Sequence, residues 1–386
     1  MNTFFRLIIS FIDIFIPKNK RKISIPCIND NEWQGNCSFL FQYLIKNKES
    51  LGIQINILCN KKSTLLRNQD TRLNTQYLYS FKGIWTLLTS GIVIYHHGPL
   101  AGRIPLISSH RINFHINHGI HFKKIELALD SKSQEYKNIS FIKTKWLCKY
   151  HSVSSNIDAL SCCSDYHTYL SNIFITGIPR NDLFFINNDD LLPQEVINDI
   201  NKLKNLAKNR KIILYAPTWR NQGGAYIFDQ DEKYSLEQFL INNDCIFIYA
   251  GHPYLKNRVI PKSKYIIDYN NNFNDIQSVL SITDILITDY SSIWIDFLLK
   301  DKPIIGFQFD HNTYEDERGF LFDYNEVFPG EIVYDFQSLI LALKHNINVD
   351  FIKTEKFLFS KKIFHKFTDG KNCERIANSL LSIKND

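Results

Sequence analysis

Short apolar runs alternate with longer amphipathic stretches along most of this 386-residue chain. Runs such as 53–58, 91–95 and 112–116 are rich in Ile and Val, and stretches with helical apolar periodicity separate them. A continuous apolar run indicates a strand that is covered on both faces of a parallel sheet. The alternation therefore predicts a doubly wound α/β architecture.

The alternation occurs in two series, joined by a stretch rich in Asn, Asp and Lys. We predict an N-terminal domain over 23–190, a connection over 191–210, and a C-terminal domain with its terminal helices over 211–386. A chain of this length suits two domains. Two such sheets that face each other across a central cleft are the geometry of a two-domain nucleotide-using transferase.

Charge and cysteine usage narrow the range of partners. The net charge is +6 and the lysines are dispersed, which favours an anionic partner and argues against nucleic acid. The eight cysteines include no CxxC pair, and no Cys/His spacing matches a zinc site. We therefore expect free thiols in a reducing compartment and no metal.

Residues 1–17 form an apolar segment in which Arg6, Ser10 and Asp13 make a narrow polar stripe at helical spacing. The segment is too short to span a bilayer comfortably, and it lacks the cleavage site of a signal peptide. Basic residues complete a membrane-associating segment over 1–22, as in interfacial anchors. The alternative is an N-terminal helix packed on the protein's own core.

The stretch 283–300 joins a predicted buried strand, 285–287, to a helix that begins near Ser292. Free N–H groups at such a helix start form an anion site at the carboxyl end of the strand, where α/β proteins bind ligands. Ser291 and Asp289 equally suit plain N-capping.

Two cationic side chains follow other strands of the second series. Arg220, close after Thr218, is suited to grip a phosphate, although stacking on Trp219 is the alternative. His252 is suited to donate to a phosphate oxygen or to act as a general acid, although a structural turn histidine is the alternative. Both residues therefore indicate a phosphate ligand.

His118 is the histidine best placed to act as a general base, because it lies at the end of the predicted strand 112–116. Gly119 beside it would allow a substrate to approach the backbone closely. His115, within the strand, is expected to be packed. In the loop after the strand 303–307, Asp310 is a weaker candidate for a ribose hydroxyl; Arg318, further along the same loop, could contact a phosphate.

These motifs, taken in order, resemble the CDP-glycerol glycerophosphotransferase family, which includes teichoic-acid primases, polymerases and related capsule enzymes. The likeness covers about residues 20 to 380. Each motif alone is weak, but their common order makes a strong case. The motifs are Gly35-Asn36-Cys37-Ser38, Asn117-His118-Gly119 with Lys123-Lys124, Gly177-Ile178-Pro179-Arg180-Asn181-Asp182, Ala216-Pro217-Thr218-Trp219-Arg220, Gly251-His252-Pro253, Thr288-Asp289-Tyr290-Ser291-Ser292, Lys302-Pro303-Ile304-Ile305, Tyr314 with Arg318-Gly319-Phe320, Phe328-Pro329-Gly330, and Asp369-Gly370 with Glu374-Arg375.

The resemblance implies a GT-B fold, two Rossmann-like domains facing a central cleft, with no metal or other cofactor. His118 would be the catalytic base and His252 a second catalytic group. The donor, a CDP-polyol, would be bound by Thr218, Arg220, His252, Asp289, Ser291, Ser292, Asp310, Arg318 and Gly319. The acceptor side would hold Asn117, Gly119 and Lys123.

The implied reaction is transfer of glycerol phosphate or ribitol phosphate from the CDP-polyol to a hydroxyl of a lipid-linked or glycan acceptor, with release of CMP. The resemblance places the enzyme peripherally on the cytoplasmic face of the membrane. Asn117 and the residues after Gly119 depart from the family pattern, which leaves acceptor recognition and the number of additions open. The alternatives are a GT-B glycosyltransferase that uses a nucleotide sugar and a non-catalytic nucleotide-binding scaffold of polymer assembly.

Overall fold

The structure, a computed structural model, separates into two compact units. Unit 1 comprises residues 1–191 and 365–386, and unit 2 comprises residues 192–364. The structure describes residues 3–27, 34–60, 74–96, 104, 106–134, 136–137, 148–186, 189–218, 226, 228–251, 263–311, 319–347 and 349–383.

Unit 1 is built on a seven-stranded sheet in the order β3-β2-β1-β4-β5-β6-β7, with every pair parallel. Parallel neighbours require crossover connections, which the intervening helices supply. The strand order reverses direction between β1 and β4, which is the switch point of a doubly wound sheet. The strands are β1 (Asn19–Cys27), β2 (Gln54–Cys59), β3 (Thr75–Tyr77), β4 (Ser90–Tyr95), β5 (Ile112–His115), β6 (Tyr150–Val153) and β7 (Ile173–Ile175).

The helices of unit 1 include five from the first part of the chain and one from its end. The last helix contacts both the helix at 36–46 and the 3₁₀ turn at 179–184, so the chain returns to its first unit. The helices described are Thr3–Asp13, Asn36–Lys46, Lys48–Leu51, Phe81–Thr89, Asn156–Tyr166 and Asn372–Ser382, with 3₁₀ turns at Glu126–Ala128, Leu170–Asn172, Pro179–Phe184 and Asp189–Leu191.

Unit 2 holds a six-stranded parallel sheet in the order β10-β9-β8-β11-β12-β13. Its strands are β8 (Lys211–Ala216), β9 (Cys245–Tyr249), β10 (Ile266–Asp268), β11 (Ile285–Thr288), β12 (Ile304–Phe307) and β13 (Glu331–Val333). The central strand β11 is buried along its whole length, as expected of a strand covered on both faces. Its helices are Gln194–Ala207, Gln230–Asn242, Tyr269–Asn272, Ile276–Ser281, Ile293–Phe297, Tyr324–Val327, Phe336–Ile347 and Glu355–Phe364, with a 3₁₀ turn at Leu298–Lys300.

The doubly wound α/β prediction is confirmed, and the two compact units divide the chain differently from the predicted domains. Residues 365–386 were placed in the second domain, whereas they pack with unit 1 because the helix Asn372–Ser382 buries an apolar face there. The connection at 191–210 contains the helix Gln194–Ala207, which packs within unit 2. There the buried carboxylate of Asp199 accepts the N–H of Asn274 at 2.7 Å.

The N-terminal helix Thr3–Asp13 turns its polar stripe towards the protein, which is the reverse of the usual arrangement of an amphipathic helix on a protein surface. Ser10 and Asp13 are buried, whereas the apolar side chains of the other face are exposed. Those exposed residues are Phe5, Leu7, Ile8, Phe11, Ile12, Ile14 and Phe15. Ile9 of the same helix is buried in a core cluster of unit 1 with Leu58 and Leu87, so the helix also packs on the protein's own core, which was the alternative left open. No helix in the described part of the chain has the length and hydropathy to cross a bilayer.

Candidate active site

His118 lies beyond the carboxyl end of β5, where its side chain is exposed although both neighbouring residues are buried. The preceding Asn117 adopts a left-handed conformation with φ 50°. Asn reaches this region at low cost among the non-glycine residues, and the turn projects the next side chain away from the sheet. The structure therefore presents the imidazole of His118 to solvent from a buried backbone.

The side chain of Asn117 points inward and fixes this turn. Its amide nitrogen donates to the carbonyl of Ser152 at 2.9 Å, and its oxygen lies 2.5 Å from Nδ1 of His115. Asn117 is only 1% exposed, so a large acceptor has no access to its side chain. Its predicted role on the acceptor side is therefore confined to shaping the loop.

The two main-chain carbonyls that flank His118 are each held by a distant side chain. The Asn36 amide donates to the carbonyl of Asn117 at 2.8 Å. The Arg180 guanidinium donates to the carbonyl of His118 itself at 2.7 Å. Asn36 also accepts the backbone N–H of Arg180 at 3.3 Å, which links the two supports.

The segment that carries Arg180 is anchored in turn by the last helix of the chain. The carboxylate of Asp182 accepts the N–H groups of Asn372 and Cys373 at 2.8 and 2.9 Å, which satisfies the free donors of that helix start. Burial raises the pKa of Asp182 to about 6, although the same N–H groups oppose the rise. Gly177, at φ 85°, leaves no room for a Cβ, which would lie 2.0 Å from the Asn372 side chain. The Gly177–Asp182 motif thus connects the His118 loop to the C-terminal helix through hydrogen bonds on both sides.

A layer of buried aromatic and titratable groups lies within unit 1 next to β5. Burial lowers the pKa of His115 far below its usual value and that of His151 to about 4. The ring of Tyr166 contacts both, with centroids 5.5 and 4.9 Å away. These histidines are neutral packing residues, as expected for His115.

His121 behaves differently because carboxylates surround it. Burial would lower its pKa, but Asp158, 2.7 Å from Nδ1, raises it above the ordinary value. Asp165 lies 4.0 Å from the other ring nitrogen, and burial raises the pKa of Asp165 to about 7. Asp158 also accepts the backbone N–H groups of Ser154 and His121, so this carboxylate ties two loops together.

In unit 2, the carboxyl ends of β8 and β11 are tied by Thr218 and Asp289. One oxygen of the buried Asp289 carboxylate accepts the Thr218 hydroxyl at 2.5 Å and the Thr218 N–H at 2.8 Å. The same oxygen accepts the N–H of Tyr290 at 2.6 Å, and the Tyr324 hydroxyl donates to the Asp289 carbonyl at 2.7 Å. The Asp289 carboxylate therefore already accepts hydrogen bonds within the protein, and these bonds hold the ends of β8 and β11 together.

Ser291 and Ser292 are half-buried on that edge and precede a shorter helix than the sequence suggested. The α-helix spans Ile293–Phe297 and tightens into a 3₁₀ turn at Leu298–Lys300. Ser292 is the N-cap residue but makes no side-chain cap bond, and the Ser291 hydroxyl accepts the Ile293 N–H at a long 3.4 Å. Simple N-capping thus explains little of why two serines stand here. Their contact with the donor stays a prediction.

The remaining predicted residues are spread over the two units. Lys123 is half-buried and Gly119 is buried, both close after His118 in unit 1. Asp310 is half-buried after β12, and Gly319 has φ 64° in the same unit. Arg220, His252 and Arg318 lie outside the residues that the structure describes, so their predicted roles stay predictions.

Asn36 and Arg180 lie within two of the sequence motifs, but neither residue was predicted to have a role. Asn36 is wholly buried at the start of a helix, a place where an uncharged polar residue is normally exposed or capping. Periodicity alone could have identified it, since a buried Asn must have hydrogen-bond partners elsewhere in the fold. Its partners, 81 and 144 residues away, could not be read from the sequence.

Comparison with known proteins agrees with the motifs. A teichoic acid poly(glycerol phosphate) polymerase of Bacillus spizizenii is 28% identical over 353 residues, covering 86% of this chain and 85% of the relative. The ribitol-phosphate polymerase TarL of Staphylococcus aureus is 31% identical over 234 residues, but those residues make up only 40% of its length.

The structure of the wall teichoic acid polymerase TagF superposes with a TM-score of 0.79 and covers 97% of this chain and 92% of its own. At 20% identity this likeness shows the fold, and the predicted GT-B class is confirmed. The family model described as CDP-Glycerol:Poly(glycerophosphate) glycerophosphotransferase matches residues 8–382. The chain therefore belongs to the CDP-glycerol:poly(glycerophosphate) glycerophosphotransferase family, as its motifs predicted.

Proposed function

We propose that this protein transfers glycerol phosphate or ribitol phosphate from a CDP-polyol to a hydroxyl of a lipid-linked or glycan acceptor, in the synthesis of a cell-surface polymer. The observation that carries the proposal is the presentation of His118: an exposed imidazole on a buried, hydrogen-bonded backbone at the carboxyl end of a parallel strand. Ligands of open α/β sheets bind at that edge. Family membership supplies the donor class.

His118 is the proposed general base. The acceptor hydroxyl attacks the phosphorus that bears the polyol, and its proton passes to the imidazole. The bond between that phosphorus and the bridging oxygen breaks, and CMP leaves with the electron pair. Phosphoryl transfer of this kind depends mainly on positioning and on stabilising charge, so a base with a fixed backbone suits it.

The donor site is proposed at the strand edge of unit 2. Thr218 and Asp289 hold the ends of β8 and β11 together, which sets the position of the Ser291-Ser292 turn. Hydroxyl and backbone N–H groups of that turn would bind the pyrophosphate. Arg220, His252 and Arg318 are proposed to supply positive charge, with His252 also as general acid, on the grounds of their sequence motifs.

The enzyme is proposed to work at the cytoplasmic face of the membrane, held by the N-terminal helix. Lys20 and Arg21, both exposed, follow the helix Thr3–Asp13 at the start of β1. An apolar face beside cationic side chains matches the boundary between acyl chains and anionic headgroups. The inward polar stripe supports this orientation, because it leaves the apolar face outward.

Incubation of the purified protein with CDP-glycerol, CDP-ribitol and UDP- and CMP-sugars, with a lipid-linked acceptor, tests the proposal. We expect CMP release from one CDP-polyol and a phosphodiester in the product. A glycosidic product would identify a glycosyltransferase instead. Donor binding without any turnover would point to a scaffold and would overturn the catalytic assignment.

A further inference from the structure

Both peptide groups next to His118 are held by side chains from distant parts of unit 1. The carbonyl before it accepts from Asn36 and the carbonyl after it accepts from Arg180. We propose that Asn36, acting with Arg180, is a positioning residue that fixes the imidazole of His118 for proton transfer. The inference rests on the proposed function, in which neither Asn36 nor Arg180 has a role.

Asn36 can act only through the backbone that it holds. The residue is 0% exposed, so no substrate touches its side chain. Its amide nitrogen donates to the Asn117 carbonyl at 2.8 Å, while its oxygen accepts the Arg180 N–H at 3.3 Å. Both ends of the amide therefore link the His118 loop to the segment that supports it.

Arg180 supplies the second hydrogen bond that fixes the His118 backbone. Its guanidinium donates to the His118 carbonyl at 2.7 Å, and its backbone N–H is tied to Asn36. The planar guanidinium holds several donors in a rigid arrangement, which a lysine ammonium does not reproduce. With both carbonyls fixed, the position of the imidazole varies only through its two side-chain torsions.

Such a constraint affects rate more than binding. A general base must lie within about 2.6–3.2 Å of the proton that it accepts. A displacement of about 1 Å in a reacting group can cost roughly 100-fold in rate. Release of the His118 backbone should therefore lower kcat and leave the affinity for the donor, which unit 2 is proposed to bind, nearly unchanged.

The test compares Asn36→Ala with Asn56→Ala. Asn56 is also buried in unit 1, donates to a main-chain carbonyl (Ile23, 3.2 Å) and accepts one amide donor (Asn74, 2.7 Å). Each substitution thus removes one donated and one accepted hydrogen bond at a buried site. Steady-state CMP release and thermal unfolding are measured for both.

We expect similar losses of Tm, a kcat roughly 10- to 100-fold lower for Asn36→Ala, and a donor KM within about twofold of wild type. Asn56→Ala should retain near wild-type kcat. Equal kcat values for the two variants, or a large rise in donor KM for Asn36→Ala, would overturn the proposal.

Arg180 provides a second test that does not empty a buried site. Arg180→Ala should lower kcat without changing donor KM, and Arg180→Lys should recover part of it, because an ammonium can still donate to the carbonyl. A full kcat in Arg180→Ala would contradict the positioning role even if Asn36→Ala fails to fold. Absence of CMP release by the wild-type protein would instead show that the proposed function itself is wrong.

Discussion

Asp13, the last residue of the N-terminal helix, forms a 2.6 Å ion pair with Arg111, 98 residues later, and both side chains are fully buried. Arg111 also donates to the carbonyls of Leu87, Leu88 and Ser90, at the end of the helix Phe81–Thr89. One guanidinium therefore joins the ends of two helices. This pair explains why the polar stripe of the first helix faces the protein.

Asp13→Ala should destabilise unit 1 strongly. Removing one partner of a buried pair leaves an uncompensated charge, which costs about 3–5 kcal/mol. The Lys18 ammonium, whose side chain is 2% exposed, also lies 3.1 Å from the Asp13 carboxylate. The triple variant Asp13→Leu, Lys18→Met and Arg111→Met should therefore lose less stability, because no charge of this buried cluster remains. Urea unfolding measures both, and a loss below about 0.5 kcal/mol for Asp13→Ala would contradict the account.

The outward face of the same helix should bind lipid. Phe11→Ser with Phe15→Ser should weaken binding to anionic vesicles at least about tenfold, since each buried phenylalanine contributes about 1.5–3 kcal/mol. The matched control, Leu341→Ser with Phe359→Ser, changes two exposed apolar residues of unit 2. Vesicle co-sedimentation separates the variants, and equal binding by both would exclude the helix as the lipid contact. High salt should weaken binding further, because Lys20 and Arg21 are exposed.

His118→Ala should lower kcat by about 10²- to 10⁴-fold, the usual contribution of a general base, and leave donor affinity nearly intact. The side chain is exposed, so the fold should tolerate its loss. His345→Ala, another exposed histidine, serves as the control and should retain activity. Calorimetric titration with CDP-glycerol or CDP-ribitol measures affinity apart from turnover. Lost donor binding in His118→Ala would overturn the assignment of the base.

Much of the fold followed from the sequence because long apolar runs identify buried strands. The strands β2, β4, β5, β11 and β12 were all predicted within a residue or two. The short strands β3, β6 and β13 were missed, because none of them contains more than two consecutive apolar residues. Their existence depends on neighbouring strands that supply hydrogen-bond partners.

The candidate site was predictable in its strand-end motifs but not in its supports. His118 and Thr218 could be placed at strand ends, and the structure locates both there. Asp289 was predicted to contact the donor. The sequence does not show that its carboxylate already accepts hydrogen bonds from Thr218 and Tyr290. Such contacts join residues up to 71 positions apart, and only the folded chain brings them together.

The tie between Thr218 and Asp289 should matter for donor binding as well as for folding. Thr218→Val removes the hydroxyl bond but keeps the N–H bond, so we expect a stability loss of about 1–2 kcal/mol. Donor affinity should fall about tenfold as the strand edge loosens, which corresponds to about 1.4 kcal/mol.

The control for this prediction is Thr283→Val, whose hydroxyl donates to the Val279 carbonyl at 2.8 Å just before β11 begins. It should lose comparable stability and keep full donor affinity. Ser291→Ala with Ser292→Ala should also weaken donor binding. Unchanged affinity in Thr218→Val and in the serine variant would remove the donor site from this edge.

The buried histidines of unit 1 should make its free energy of unfolding fall as the pH is lowered. Burial lowers the pKa of His151 to about 4, against about 6.5 in the unfolded chain. A depressed folded-state pKa stabilises the protein above pH 6.5, and this stability is lost as pH falls towards 4. The difference corresponds to about 3 kcal/mol. Nearby groups contribute as well, since His115 shifts in the same direction and His121 in the opposite one.

His151→Phe tests this dependence without emptying the site. The phenyl ring can keep the packing on Tyr166, 4.9 Å away, although the bond to the Cys148 carbonyl is lost. The variant should be less stable than wild type at pH 8, and its Tm should fall less between pH 6.5 and 4. Tm measured at half-unit pH steps for both proteins gives the two slopes. Parallel curves would show that another group, not His151, carries the acid sensitivity.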